Sequence, residues 1–521
     1  MHVPGPQLPH FPSLGSVRLT TLCIFFALGS YVWGYLVGIV GTVYVSPGFI
    51  TALKKPKAPQ VGMMTAFYYL GTWTSFVFIA PRLADLLGRR YAAFIGALVA
   101  CVGAALQTGA KGGRETGVSM FIFGRVVSGL GTAVLSTSVP LYQSEITPAR
   151  RRGRYVVLNH IGFVAGLASA FWVSYGMTFW KGHEGVRLSW RLSIAVVFIP
   201  AAVLCLGIPF TPETPRWLLE KGHEKRAEQS LLWIRGQASP TPEVTAELDE
   251  IRANILYHHT HSITSWKTLF RDRDLFARLW RAALLQFLSQ MSGSTAMKYY
   301  LPTNFLALGL GRRMALLAGG IESTLKIACA VIGMTIIDRI GRRAALFVGA
   351  AVMVVALLIN GALPQAFPGN KNHASDYACI VFIFVFTFGY SIGFGPTTWV
   401  YGSEIFPTYV RARGLSISAS GGSIGSIIVA QIWPVAFQHI GSRTYFIFMS
   451  INLASIVIIY FLFPETKGKT LEEMDGLFGK VTVGSDESVN VKGNTSTTGE
   501  SGQESPKGEK DGVLISVGEK V

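Results

Sequence analysis

Long apolar runs alternate with short charged breaks along most of the chain. A helix that crosses a bilayer needs about 20 mostly apolar residues. Runs of that kind fall near 19–45, 61–81, 91–109, 117–141, 155–177 and 190–210. A polar stretch occupies 211–280, and further runs follow near 281–307, 314–337, 343–363, 377–402, 413–437 and 443–463. The pattern predicts an all-α membrane protein with twelve transmembrane helices, six on each side of a polar linker with short helices. The first run carries Tyr31, Trp33 and Tyr35 and lacks a small-residue cleavage site, so it reads as a span and not as a signal peptide. The expected organisation is a short segment 1–18, a six-helix half 19–210, the linker 211–280, a second half 281–463 and a tail 464–521. From about 479 the tail is Ser, Gly, Thr, Glu and Lys, too polar to bury a core, and is expected to be disordered.

Composition agrees with this reading. Half of the 521 residues are hydrophobic, only 14% are charged, and the mean hydropathy is +0.40. A soluble enzyme carries about 25% charged residues. The net charge of +17 sits in short clusters between the runs, where Lys and Arg anchor helix ends at a lipid headgroup layer. No nucleic-acid partner is expected. Basic residues are shared evenly between the two sets of short loops, so charge alone does not orient the chain. Twelve spans put both termini on the same side as the large linker, and the resemblance given below implies that this side is cytoplasmic. On that side the Asn494-Thr495-Ser496 sequon is inert. The five cysteines form no CxxC pair, and His258, His259 and His261 read as a solvated run. No metal site, cofactor, phosphate loop or nucleophile elbow is expected, hence no enzyme. Gly129-x-Gly131 lies inside an apolar run and reads as close helix packing.

The chain repeats itself. Asp85…Gly88-Arg89-Arg90 recurs as Asp338…Gly341-Arg342-Arg343, Tyr142…Ser144-Glu145 as Tyr401…Ser403-Glu404, Arg152-Gly153 as Arg413-Gly414, and Pro212-Glu213-Thr214 as Pro464-Glu465-Thr466. Four landmarks return in one order with numbers about 250–260 higher, the mark of a duplicated unit. Two parallel six-helix repeats are a transporter architecture, with the solute site between them near mid-membrane.

At these residues the chain resembles the major facilitator superfamily in its sugar-porter branch, over roughly 20–475. The resemblance also rests on Gly124-Arg125, Pro140-x-Tyr142-x-Ser144-Glu145-x-x-Pro148, Pro212-Glu213-Thr214-Pro215-Arg216, Tyr299-Tyr300-x-Pro302, Gly395-Pro396-x-x-Trp399 and Pro464-Glu465-Thr466-Lys467-Gly468 with Leu471-Glu472-Glu473. It implies alternating access in a plasma membrane by a monomer whose partners are lipid and a small solute. It implies a gating network of Asp85, Arg89, Arg90, Glu145, Arg152, Asp338, Arg342, Arg343, Glu404 and Arg411. It also implies a substrate cavity with Gln286, Gln290 and Trp399, joined by His160, Ser289, Thr295, Lys326 and Tyr299.

Several of those positions depart from the family pattern. Leu36 stands where proton-coupled relatives carry a carboxylate, and leucine cannot titrate. His160, Ser289, Thr295 and Lys326 replace amides, and Gly422-Ser423 replace an Asn-Trp pair. Glu322 and Lys326 lie four apart on one helix face inside a span, where charges are costly and usually functional. A structural ion pair, a cationic cavity formed by Lys326 with Lys298 and His160, and proton coupling through Glu322 or His160 all remain open. The expected function is transport of a monosaccharide or related polyol. The alternatives are a small organic acid such as quinate, or a nutrient sensor without flux.

Overall fold

The computed structural model describes residues 14–148, 152–261, 270–368, 372–406 and 410–467. The side chains of Arg152, Asp338 and Arg411, the histidines near 260, Pro407, Gly468, Leu471-Glu472-Glu473 and the whole tail lie outside the described residues.

Twelve spans run in order, and no strand occurs among the described residues. The first half comprises Leu14–Tyr44, then Ala58–Thr74 continuing to Ala80–Leu87, then Arg89–Gly109, Gly113–Ile146, Arg152–Met177, and His183–Ala195 continuing to Phe198–Gly207. The second comprises Arg273–Ser289 continuing to Leu301–Ala307, then Arg312–Ile340, Arg342–Ala366, His373–Ile392 continuing to Phe394–Ile405, Arg411–Ile440 and Thr444–Leu462. Among the described residues, eight stretches are long and apolar enough to cross a membrane by themselves, one of them running through the last two spans. The second and seventh spans are cut into shorter pieces by π turns at Ser75–Ile79 and Gln290–Ser294.

Most helices extend about a turn beyond their apolar runs, because a charged last turn is still helical. The seventh begins at Arg273, inside the stretch assigned to the linker. Asp272 caps it there, accepting from the backbone N–H of Asp274 at 2.9 Å. The linker itself holds Pro215–Glu220, Glu224–Arg235 and Pro242–His261, with a small core of Leu218, Ala227, Leu231, Val244 and Leu248.

Glycine brings the helices close. A Cβ on Gly131 would lie 2.4 Å from the Ala100 nitrogen, and one on Gly129 would lie 2.2 Å from the Tyr68 carbonyl oxygen. These glycines let the fourth span pack directly on the second and third. Outward faces stay apolar: Leu206, Phe210 and Phe461 are exposed, as lipid-facing side chains are in a membrane protein.

The halves meet at the end away from the linker. A Tyr300 hydroxyl donates to Thr65 Oγ1 at 3.2 Å, Arg312 Nη2 to Ser46 Oγ at 3.4 Å, Arg313 Nε to Thr178 Oγ1 at 3.3 Å and Gln431 Nε2 to the Pro59 carbonyl at 3.4 Å. A Cβ on Gly41 would be 2.4 Å from the Tyr299 carbonyl oxygen. The space left there among Thr42, Ser46, Ser174 and Arg312 is only ≈ 10 Å³.

Candidate functional site

The seventh span builds the polar centre. Gly293 has φ 100°, a left-handed conformation that glycine alone adopts without strain, and it breaks the helix in mid-membrane. The break turns Thr295 and Lys298 back toward Gln290. Gln290 Oε1 then accepts from Thr295 Oγ1 at 2.9 Å, Ser294 Oγ at 3.2 Å and Lys298 Nζ at 3.2 Å. Such π turns recur at functional sites. Ser289 Oγ lies 3.3 Å from the Tyr390 hydroxyl, and Thr295 Oγ1 lies 3.2 Å from Ser426 Oγ. Gln286 is buried one turn earlier, beside Gly422 of the eleventh span. Tyr299 is buried and packs edge-on against Tyr69 of the first half.

Other expected members sit apart from this cluster. His160 stacks on Phe163 of its own span, 6.4 Å between centroids. Trp399 follows the break at Gly393 in the tenth span and is 44% exposed. Lys326 faces Glu322, with Nζ 2.7 Å from Oε1, and Glu322 has no exposed surface. Thr387 and Ser323 donate to the same carboxylate. The pair therefore balances its own charge. Lys298, within electrostatic reach of Lys326, has no carboxylate at ion-pair distance among the described residues.

Arg125 was legible only as part of a motif. It is fully buried in the fourth span, donates to the Leu36 carbonyl at 3.1 Å and the Met64 carbonyl at 3.2 Å, and lies 4.1 Å from the Tyr68 ring centroid. With leucine at position 36, it is held by peptide dipoles and an aromatic face. A lone arginine in an apolar run is the signal that marks it.

At the linker side the duplicated motifs build one geometry twice. Arg89 Nη2 is 3.0 Å from Glu145 Oε1, and Arg342 Nη2 is 2.9 Å from Glu404 Oε1. Thr214 Oγ1 donates to Glu145 Oε2 at 2.6 Å, as Thr466 Oγ1 does to Glu404 Oε2. Gly88 and Gly341 share φ 92° and 94°. After each, a glutamate caps the next helix: Glu213 accepts from the backbone N–H groups of Arg89 and Arg90, and Glu465 from those of Arg342 and Arg343. The two caps differ in charge balance. Burial pushes the Glu213 carboxyl above the ordinary carboxylate range, against the pull of its backbone donors. At Glu465 burial also opposes ionisation, but the backbone donors outweigh it and hold the carboxyl below that range.

These networks lie within each half. Asp85 is the weak member, 72% exposed and 3.7 Å from Arg89 Nη1, although Arg413 of the second half acts on it electrostatically. Arg90 and Arg343 reach carbonyls, of Thr211 and of Tyr460. Glu213, Glu465, Thr214 and Thr466 were missed as site residues. The signal was present, because Pro-Glu-Thr follows each Gly-Arg-Arg at nearly constant spacing in both repeats.

Two copies of one six-helix design around a polar mid-membrane break define a multi-pass membrane transporter of the major facilitator type. Residues 22–478 match the family described as Sugar (and other) transporter. A probable quinate permease of Aspergillus niger is 32% identical over 77% of this chain and 76% of its own. The sugar transport protein MST3 of Oryza sativa is 29% identical over 87% of this chain and 89% of its own. The xylose transporter XylE from E. coli, in a partially occluded inward open conformation, superposes with TM-score 0.74 at 22% identity, over 88% of this chain and 100% of that one. The chain belongs to the sugar (and other) transporter family.

Proposed function

We propose that this protein carries a monosaccharide or related polyol across the plasma membrane by rocking its two halves about the polar cluster of the seventh span. The observation that carries this reading is the Gly293 break, which gathers the amide of Gln290 with the hydroxyls of Ser294 and Thr295 at mid-membrane. Amides and hydroxyls offer the paired donors and acceptors that a polyol needs. The sugar transport protein of Oryza sativa supports the same substrate class. The test is uptake by the full chain in a host lacking its own carriers, against a panel of hexoses, pentoses and polyols. Gln290→Ala should lower uptake about five- to a hundredfold with normal membrane abundance, since an unpaired polar partner costs about 1–3 kcal/mol. Equal uptake by Gln290→Ala would remove the seventh span from the site.

A second reading is a polyol bearing a carboxylate, such as quinate. Lys298 favours it, as a cation on Gln290 with no carboxylate at ion-pair distance among the described residues. The quinate permeases among the relatives point the same way. Competition separates the readings. If quinate displaces a labelled hexose and Lys298→Leu abolishes only that displacement, the substrate is an acid; if quinate never competes, it is neutral.

In this reading Arg89, Glu145, Arg342 and Glu404, with Arg152, Asp338 and Arg411, set the balance between the two open states at the linker side. The closed far end supports an arrangement open toward the linker.

A further inference from the structure

A cavity of ≈ 620 Å³ lies outside the transport path, where the third span begins and the linker helices pack under it. That volume is of ligand size. Its lining joins two chemistries. Arg90, Arg226 and His223 supply donors, while Trp217, Trp233 and Phe210 supply aromatic surface. Glu213 is the one carboxylate among the lining residues, and its oxygens are taken by the backbone N–H groups of Arg89, Arg90 and Thr214. Arg90 Nε stands 4.0 Å from Glu213 Oε2, too far for a hydrogen bond, and has no other hydrogen-bond partner. Arg226 is exposed, with no carboxylate at ion-pair distance among the described residues. Each tryptophan carries a further cation: Lys221 Nζ lies 5.9 Å from the Trp217 centroid, and Arg18 Cζ lies 5.0 Å from that of Trp233. The wall toward the membrane is different. Phe210 is 85% exposed and Leu206, one turn earlier, 73%. Leu87 is exposed beside them.

We propose that this cavity is a binding site for the headgroup of an anionic phospholipid in the leaflet on the linker side. The phosphate and its anionic substituent meet Arg90, Arg226 and His223. The acyl chains lie along Phe210, Leu206 and Leu87. The tryptophans stand at headgroup depth, where amphipathic rings favour the interface. A soluble anion would have no use for the apolar wall, and a zwitterionic lipid would leave the basic rim unmatched. The site rests on the chain spanning a membrane and not on the solute carried, so a failed uptake assay leaves it standing.

The test uses the purified full chain in nanodiscs of phosphatidylcholine alone, of phosphatidylcholine with phosphatidylserine, and of phosphatidylcholine with inorganic phosphate in the buffer. Native mass spectrometry reads retained lipid, and thermal unfolding reads stabilisation. The wild type should retain phosphatidylserine over phosphatidylcholine and melt higher in its presence. Arg226→Gln should weaken retention about fivefold, the equivalent of about 1 kcal/mol for one basic residue at an anionic surface. His223→Ala should weaken it in the same direction. Arg82→Gln, on the same side but outside the cavity, should leave it unchanged. Equal retention by Arg226→Gln and wild type overturns the site. Inorganic phosphate that stabilises as much as phosphatidylserine, and loses its effect in Arg226→Gln, overturns the lipid and assigns the cavity to a soluble anion.

Discussion

Glu322 exposes no surface, Lys326 Nζ lies 2.7 Å from its Oε1, and two hydroxyls donate to it. Removing one partner of a buried pair strands the other, at a cost of about 3–5 kcal/mol, whereas replacing both with apolar groups is often neutral. Glu322→Gln should therefore lower the thermal midpoint in detergent sharply, and Glu322→Leu with Lys326→Leu should recover most of the loss. A double variant as unstable as the single one would show that the ionic character itself is needed. Spacing four apart made this pair readable from the chain, because i and i+4 share a helix face. Lys298 was only half readable. Its partner Gln290 stands eight residues away, about 12 Å along a regular helix, and only the Gly293 break brings the two together. Nothing in the residue types announces a π turn. The apartness of His160 was likewise invisible, since a family position says nothing of which neighbour the ring will choose.

Among the elements, the two glutamate-capped helix starts give the clearest comparison: Glu213 is the more deeply buried, and Glu465 gains a further backbone donor, Lys467, where the first copy has Pro215. Glu213 binds its proton more tightly in the folded chain than its ordinary value of 4.5 implies, so its contribution to stability declines as pH rises through the window above 4.5. Glu465 is shifted the other way, so its contribution is present above 4.5 and is lost as pH falls through the window below it. The protonated-carboxyl stretch removed by Glu213→Gln should appear above pH 4.5. That removed by Glu465→Gln should appear only below pH 4.5. Difference infrared spectra of the two variants measure this, and a shared titration would mean the caps are equivalent. The same elements hold the proposed gate. Glu404 holds Arg342 and Thr466 together, so Glu404→Gln loosens the ninth, tenth and twelfth spans at the linker side. Spin labels across that side should report a changed ratio of open to closed distances, and an unchanged distribution would reduce the network to anchoring. Duplication made these elements legible: a motif that returns in order at one spacing has one structure in both places. The helix ends were less legible, because hydropathy stops at the first charge while the helix does not.

At the scale of the whole molecule the question is what drives the rocking. Coupling to protons needs a group that gains and loses a proton as the halves exchange partners. Position 36, where the family resemblance implies a carboxylate in proton-coupled members, is leucine, and Arg125 donates there to the Leu36 and Met64 carbonyls. Glu322, a buried carboxylate in the eighth span, is paired in place by Lys326. From these contacts the expected mode is facilitated flow down the solute gradient. Uptake should then be unchanged by a protonophore or by an imposed pH gradient, and preloaded cells should show counterflow of labelled solute. Leu36→Asp supplies the missing carboxylate beside Arg125, and its uptake should become dependent on external pH. Collapse of wild-type accumulation by the protonophore would overturn facilitated flow and return the coupling role to Glu322 or His160.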